Sequence, residues 1–143
     1  MIKKTTILLI YMILCISCSI TSNIEFTKIQ TEQLTIIPIK QTLITNTAVP
    51  NRYWLYLSTT FKNDSSSRII IDFDDLYLID DSNEKLRVEY VSGVKINSDD
   101  KLYLDLKPKS RIEKKITFLI KEGNQTEYIL FKDKKVKLNF VNE

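Results

Sequence analysis

Short apolar runs separated by polar clusters make up the chain from about Glu32 to Glu143. The runs are rich in Ile, Val, Thr, Tyr and Phe, residues that favour a pleated, half-buried surface. The clusters between them, such as Asn63–Ser67 and Asp80–Asn83, carry the Asn, Asp and Ser residues typical of turns. We therefore predict the following strands: Leu34–Ile39, Tyr53–Phe61, Ile69–Phe73, Leu76–Ile79, Leu86–Val91, Leu102–Leu106, Arg111–Ile120, Tyr128–Phe131 and Val136–Val141.

The side chains alternate most clearly in the last of these runs. Val136, Leu138 and Phe140 are predicted to face the core, with Lys and Asn residues between them facing water. Phe118 is predicted to be a core residue of the long run before it. No segment of this region shows a helical period, and many short strands at this spacing favour an all-β antiparallel sandwich.

The N-terminal segment has a different pattern, MIKKTTILLIYMILCISC. Lys3 and Lys4 precede an apolar stretch of ten residues, Ile7–Ile16. A membrane-spanning helix needs roughly 20 apolar residues, so this stretch has instead the length of a signal-peptide core. We predict that residues 1–17 are a signal peptide.

The end of this segment, small Ser17 followed by Cys18, resembles the lipoprotein signal of bacteria, especially the relaxed form found in spirochaetes. Cys15 stands where that signal usually has Leu. The resemblance implies a lipid at Cys18, which would become the first mature residue. It also implies attachment to the inner or outer membrane of a bacterial cell envelope, facing the periplasm or the surface. A secretory signal cut near Ser19 or Ser22, or an uncleaved anchor, remains an alternative.

This interpretation divides the chain into a signal peptide (1–17), a lipidated cysteine with a polar tether (18–31) and a single sandwich domain (32–143). Both cysteines lie in the first 18 residues, so cleavage would leave one sulfur and no intramolecular disulfide. Removal of Lys3 and Lys4 lowers the formal net charge from +3 to +1. The mixed-sign surface that remains gives no support for nucleic-acid binding.

Residues 53–131 resemble the immunoglobulin-like (telokin-like) domain of small bacterial lipoproteins of unknown function. Three segments carry the resemblance, namely YWLYLSTTFKND, DFDDLYLIDDSNEKLRVEY and LKPKSRIEKKITFLI. The resemblance implies that Asn63 closes a strand, that Leu76 and Leu78 are core residues and that a hairpin follows at Asp80–Glu84. It also implies a turn at Pro108, where the family usually has a glycine next and this chain has Lys109.

The residues needed for common catalytic chemistry are missing. The sequence has no histidine, which excludes the usual serine or cysteine triads, and only two glycines, Gly93 and Gly123, so it has no phosphate-binding loop. Both methionines lie within residues 1–17, which leaves the predicted mature chain without soft metal ligands other than Cys18. We predict a protein that is not an enzyme and has no cofactor.

Acidic clusters are the remaining candidate for a metal site. They lie at Asp72–Asp75, at Asp80–Asp81 and at Asp99–Asp100. Carboxylates at loops bind calcium, but a lysine interrupts the run after Asp81 and no glycine allows the tight turn of a calcium loop. We predict turn and solubilising roles for these residues and no metal, with a weak calcium site as the alternative.

Three aromatic residues, Tyr53, Trp54 and Tyr56, stand close together on one predicted strand. Alternation places Trp54 and Tyr56 on one face and Tyr53 on the other. One face must be core, and aromatic side chains left on the other would be candidates for partner binding.

The function most consistent with these features is a non-catalytic binding or envelope-structural module, held to a membrane through Cys18 and contacting another protein. The alternatives are a surface-exposed adhesin or antigen that binds host molecules, and a small-ligand carrier.

Overall fold

The computed structural model describes residues 18–45 and 48–141, which fold as an all-β antiparallel sandwich, as predicted. The predicted signal peptide lies outside these residues. The strands are β1 (Ser19–Ile24), β2 (Ile29–Gln30), β3 (Leu34–Ile44), β4 (Arg52–Asn63), β5 (Ile69–Asp72), β6 (Leu76–Asp80), β7 (Lys85–Arg87), β8 (Tyr90–Val91), β9 (Tyr103–Leu106), β10 (Arg111–Lys121), β11 (Thr126–Phe131), β12 (Lys134–Lys137) and β13 (Phe140–Val141).

The larger sheet contains seven strands in the order β13-β1-β3-β4-β10-β8, with β2 also paired to β3. Its centre is β4, whose twelve residues pair along their length with β3 on one side and β10 on the other. These long central strands form because Ile, Leu, Phe and Thr alternate with polar residues along them. The opposing sheet has the order β12-β11-β6-β7, and β5 and β9 form a separate pair.

The core lies between the inner faces of these sheets. Leu57 of β4, Phe118 of β10 and Leu78 of β6 are fully buried in one continuous apolar cluster. Phe61 and Phe73 meet edge to face in the same cluster, with ring centroids 5.8 Å apart. The predicted core positions Leu76, Leu78, Phe118 and Leu138 are thus confirmed.

Two predicted strands are each divided between the sheets. The predicted strand Leu86–Val91 becomes β7 in one sheet and β8 in the other, and Val136–Val141 becomes β12 and β13 in the same way. A short stretch after β5, Phe73–Asp75, forms one 3₁₀ turn capped by the Asp72 side chain. Phe73 is buried in that turn, which explains why an apolar run continued past the end of β5.

The predicted tether over residues 18–31 is wrong for most of its length. Ser19–Ile24 and Ile29–Gln30 are strands of the larger sheet that pair with β3. Ile24 and Ile29 are buried, so these residues belong to the domain. Among the residues that the structure describes, no helix is long and apolar enough to cross a membrane.

Candidate binding groove

The aromatic residues of β4 divide between its two faces as the alternation predicted. Leu55 and Leu57 are fully buried, so the side chains on their face form the core. Trp54 and Tyr56 therefore lie on the outer face of the larger sheet, where both are only partly buried. One face of an antiparallel sheet commonly packs on the core while the other faces water, so aromatic side chains on the outer face are candidates for a contact surface.

Strand register brings further residues to this outer face. Tyr56 pairs with Thr117 of β10, and Thr117 pairs in turn with Tyr90 of β8, so the three residues form one row across three strands. Backbone hydrogen bonds hold β8 in place: the N–H of Glu89 donates to the Thr117 carbonyl at 2.8 Å. Tyr90 thus lies in the same row as Tyr56, with Thr117 between them, and 51% of its surface is exposed.

These residues line a shallow groove with a volume of about 540 Å³. We refer to it as the aromatic groove, and its lining consists of Trp54, Tyr56, Glu89, Tyr90, Ser92, Lys115 and Thr117.

The charged residues of the aromatic groove each have a local partner. The Nζ atom of Lys115 lies 5.4 Å from the ring centroid of Tyr56, a cation–π arrangement that leaves the exposed ammonium at the surface. The Glu89 carboxylate accepts from Nε of Arg87 at 3.1 Å. The groove therefore presents aromatic faces, one cation, and one carboxylate that is ion-paired with Arg87.

Tyr53 does not contribute to the aromatic groove. It lies on the core side of β4, where its hydroxyl donates to Oε1 of Glu122 at 2.8 Å. This hydrogen bond is the main reason why the pKa of Tyr53 lies above its ordinary value. Of the three predicted partner-binding residues, the structure brings Trp54 and Tyr56 together and separates Tyr53 from them.

Cys18, the predicted lipidation site, is exposed and has no disulfide. It immediately precedes β1, and its carbonyl accepts hydrogen bonds from the backbone N–H of Thr45 at 3.1 Å and from Thr45 Oγ1 at 3.0 Å. The backbone of Cys18 is therefore held against the end of β3.

The acidic clusters are engaged in turns and ion pairs. Asp72 accepts from the N–H of Asp74 at 2.9 Å, and Lys101 Nζ lies 3.7 Å from Asp72 and 3.6 Å from Asp74. The negative charges of Tyr103, when ionised, and of Asp72 and Asp74 raise the pKa of Lys101. In residues 18–45 and 48–141, no three acidic or cysteine side chains are grouped so that they could hold a metal ion.

Tyr90 and Lys115 are groove residues that the apolar pattern of the sequence does not single out. The apolar pattern predicts a single strand from Leu86 to Val91 around Tyr90, although Leu86 and Val91 are both apolar and lie five residues apart, and both are buried in the structure. An odd spacing cannot place two residues on one face of a single strand. That break in parity was the available signal that the chain changes sheets before Tyr90.

No protein-family model matches this sequence, and a search of the curated proteins found no match. Among solved structures, the protein is similar to a conserved hypothetical protein from Bacillus anthracis, with a TM-score of 0.60 and 9% identity, over 87% of this chain and 98% of that one. It is also similar to a functionally unknown protein from Listeria monocytogenes, with a TM-score of 0.51 and 15% identity, over 74% of this chain and 68% of that one. At these identities the likeness shows the fold alone.

Proposed function

We propose that this protein is a lipoprotein of the bacterial cell envelope that acts without catalysis and uses the aromatic groove as its contact surface. The observation that carries the contact role is the position of Trp54 and Tyr56 on the outer face of a sheet whose inner face is already a complete core. Aromatic side chains concentrate at the centres of interaction surfaces because they bury much apolar area at little cost in conformational entropy.

Support for the membrane anchor comes from the sequence at residues 1–18 and from the accessibility of Cys18. Acyl chains on this sulfur would contribute about 0.8 kcal/mol for each methylene group that they bury, so several chains would make attachment effectively permanent. We expect Cys18→Ser to abolish incorporation of labelled palmitate and to release the protein from the membrane fraction or to stop its processing. A Cys18→Ser protein that still partitions into detergent and matures normally would contradict the anchor.

The contact role can be tested by photo-cross-linking in intact cells. A photoreactive phenylalanine analogue at Tyr90 reports on the aromatic groove, and the same analogue at Ile70 provides the control, because Ile70 is also exposed but lies on the separate β5–β9 pair. We expect adducts at Tyr90 that are absent at Ile70. Identical labelling at the two positions would argue against a specific role for the groove. The mass of these adducts tells whether the groove contacts a protein, as the sequence predicts, or lipid.

A small-ligand carrier is the second candidate. The volume of the aromatic groove, about 540 Å³, falls within the range of small-molecule sites, roughly 300–1,000 Å³. Mass spectrometry of the protein isolated under non-denaturing conditions distinguishes this candidate, since a carrier would retain a stoichiometric small molecule that Trp54→Ala loses.

A further inference from the structure

The proposed lipid attachment point is part of the folded domain. Cys18 is followed directly by β1, and its carbonyl is bonded to Thr45, so there is no spacer between the sulfur and the sheet. The end of the sandwich that carries Cys18 must therefore lie at the bilayer surface when Cys18 carries acyl chains. This end also contains Arg52 at the start of β4 and Lys121 at the end of β10, which pair with each other.

Strand register places one end of the aromatic groove, at Trp54, at this end of the sandwich, while Lys115, which pairs with Ser58, lies four residues farther along the strands. Ser19 pairs with Ile44, and Ile44 pairs with Trp54, so Trp54 lies in the row immediately after Cys18. Two strand spacings of about 4.8 Å separate Trp54 from Ser19 laterally, and one residue of rise, about 3.4 Å, separates this row from Cys18 along the strand. Each headgroup layer of a bilayer is about 5–7 Å thick. Trp54 is therefore close enough to the anchor to reach this layer.

The chemistry of the aromatic groove suits that layer. Trp and Tyr side chains are enriched at membrane interfaces, because their rings are apolar and their polar atoms contact water and headgroups. Lys115, beside Tyr56, offers an exposed cation to lipid phosphates. The one carboxylate in the groove, that of Glu89, is paired with Arg87 and would not repel them strongly.

We propose that the aromatic groove is a second membrane contact, which seats on the lipid headgroups beside the acylated Cys18 and fixes the tilt of the domain on the bilayer. This inference rests on the proposed lipid anchor. Attachment at Cys18 alone would leave the domain free to swing about one point. A second contact about 10 Å away, two strand spacings from β1, would hold the outer face of the larger sheet towards the lipid.

Trp54 provides the measurement, because it is the only tryptophan in the chain. The full-length protein is produced in a bacterium that acylates it, and mass spectrometry establishes the acylation. The protein is then placed in phosphatidylethanolamine–phosphatidylglycerol vesicles whose lipids are brominated either near the headgroup or near the chain end. We expect strong quenching of Trp54 fluorescence by the shallow bromine and weak quenching by the deep one.

The two variants are made at lysines whose ammonium groups each lie over a tyrosine ring. Lys115 lies over Tyr56 in the groove, and Lys135 lies over Tyr128 on the opposing sheet, with Nζ 4.1 Å from the ring centroid. Both side chains are exposed. Lys115→Glu is expected to lose most of the quenching, because a carboxylate there would face lipid phosphates. Lys135→Glu is expected to keep it.

The outcomes separate the two proposals. A protein that carries no acyl chain contradicts the lipid anchor itself. An acylated protein whose Trp54 is unquenched by bromine and remains as accessible to iodide as in the lipid-free domain overturns the second contact and leaves the anchor standing. Trp54 that is unquenched in vesicles, together with protein adducts of the Tyr90 photo-cross-linker in intact cells, also overturns it and indicates a protein partner in the groove.

Discussion

The side-chain amide of Asn63 donates a 3.2 Å hydrogen bond to the backbone carbonyl of Leu106 and so joins the end of β4 to the end of β9. The same nitrogen lies 3.0 Å from the carbonyl of Lys107 and 2.7 Å from that of Ser67. The Asn63 Oδ1 atom accepts from the N–H of Ser65 at 2.9 Å and from its hydroxyl at 2.8 Å. One buried amide thus organises two loops that connect different sheets.

Asn63→Ala is expected to lower the free energy of unfolding by about 1–3 kcal/mol, since it leaves buried carbonyls without their donor. Asn97→Ala is the matched control. Asn97 also caps a loop, accepting from the N–H groups of Asp99 and Lys101, but its hydrogen bonds are exposed to water. Its loss should cost less than about 1 kcal/mol. Urea unfolding measures both values, and equal losses would contradict the role assigned to Asn63.

The turn after Pro108 holds Lys109 in the left-handed region, with φ +55°. This conformation costs a residue with a Cβ atom about 1–2 kcal/mol, whereas glycine loses about 0.5–1 kcal/mol more in chain entropy on folding. We expect Lys109→Gly to be more stable than Lys109→Ala by about 0.5–1 kcal/mol. Both variants lose the contact between Lys109 Nζ and the Asp64 carbonyl, so the comparison isolates the backbone. Thermal unfolding measures the two stabilities. If the alanine variant is the more stable, the turn has relaxed to a conformation without a positive φ at this position.

The alternation of apolar and polar residues sufficed to predict the sandwich because the central strands bury one continuous face. It failed for β1, where the residues facing the sandwich include Ser22, and Ile20 remains 55% exposed at the sheet edge. A strand that buries so little apolar surface has the composition of a tether. Its pairing with β3 and β13 and the burial of Ile24 make it part of the fold.

The aromatic groove could be predicted only in part. Trp54 and Tyr56 lie on one strand, so local alternation was enough to place them together. Tyr90 and Lys115 join them through pairings between strands that are far apart in the sequence, and β8 is only two residues long. Such pairings depend on where the chain crosses between sheets, which the apolar pattern does not specify.

Asp80 predicts a pH dependence of stability. Burial tends to raise its pKa, but hydrogen bonds from the side chains of Asn124 and Ser82 and from the N–H groups of Glu84 and Ser82 hold the pKa below its ordinary value. A carboxyl group whose pKa is lower in the folded state stabilises the protein above the unfolded-state pKa, about 3.9, and this stabilisation is lost as the pH falls towards the folded-state value.

Asp80→Asn should therefore destabilise the protein at pH values well above the unfolded-state pKa, and the difference from the unchanged protein should shrink as the pH falls below about 4. The test compares the two proteins at each pH rather than the pH dependence of either one alone. The reason is that Asp64, whose pKa is also lowered, mainly by the Lys62 side chain, makes both proteins less stable in acid. Urea unfolding of both proteins across this pH range measures it. A difference that stays constant on acidification would show that the Asp80 charge does not contribute.

The hydroxyl of Thr59 gives the last prediction. Within the part of the chain that the structure describes, Thr59 Oγ1 is buried without a hydrogen-bond partner, on the core face of β4 opposite Pro38 and Lys114. A buried hydroxyl without a partner loses its contacts with water and gains nothing in return. Thr59→Val replaces that hydroxyl with a methyl group of similar size, and we expect it to raise the free energy of unfolding by about 1 kcal/mol. Thr59→Ser keeps the hydroxyl, removes the methyl group and should destabilise the protein, so the pair separates polarity from volume. A Thr59→Val protein less stable than the original would reveal a hydrogen bond at this hydroxyl, for example to a buried water molecule.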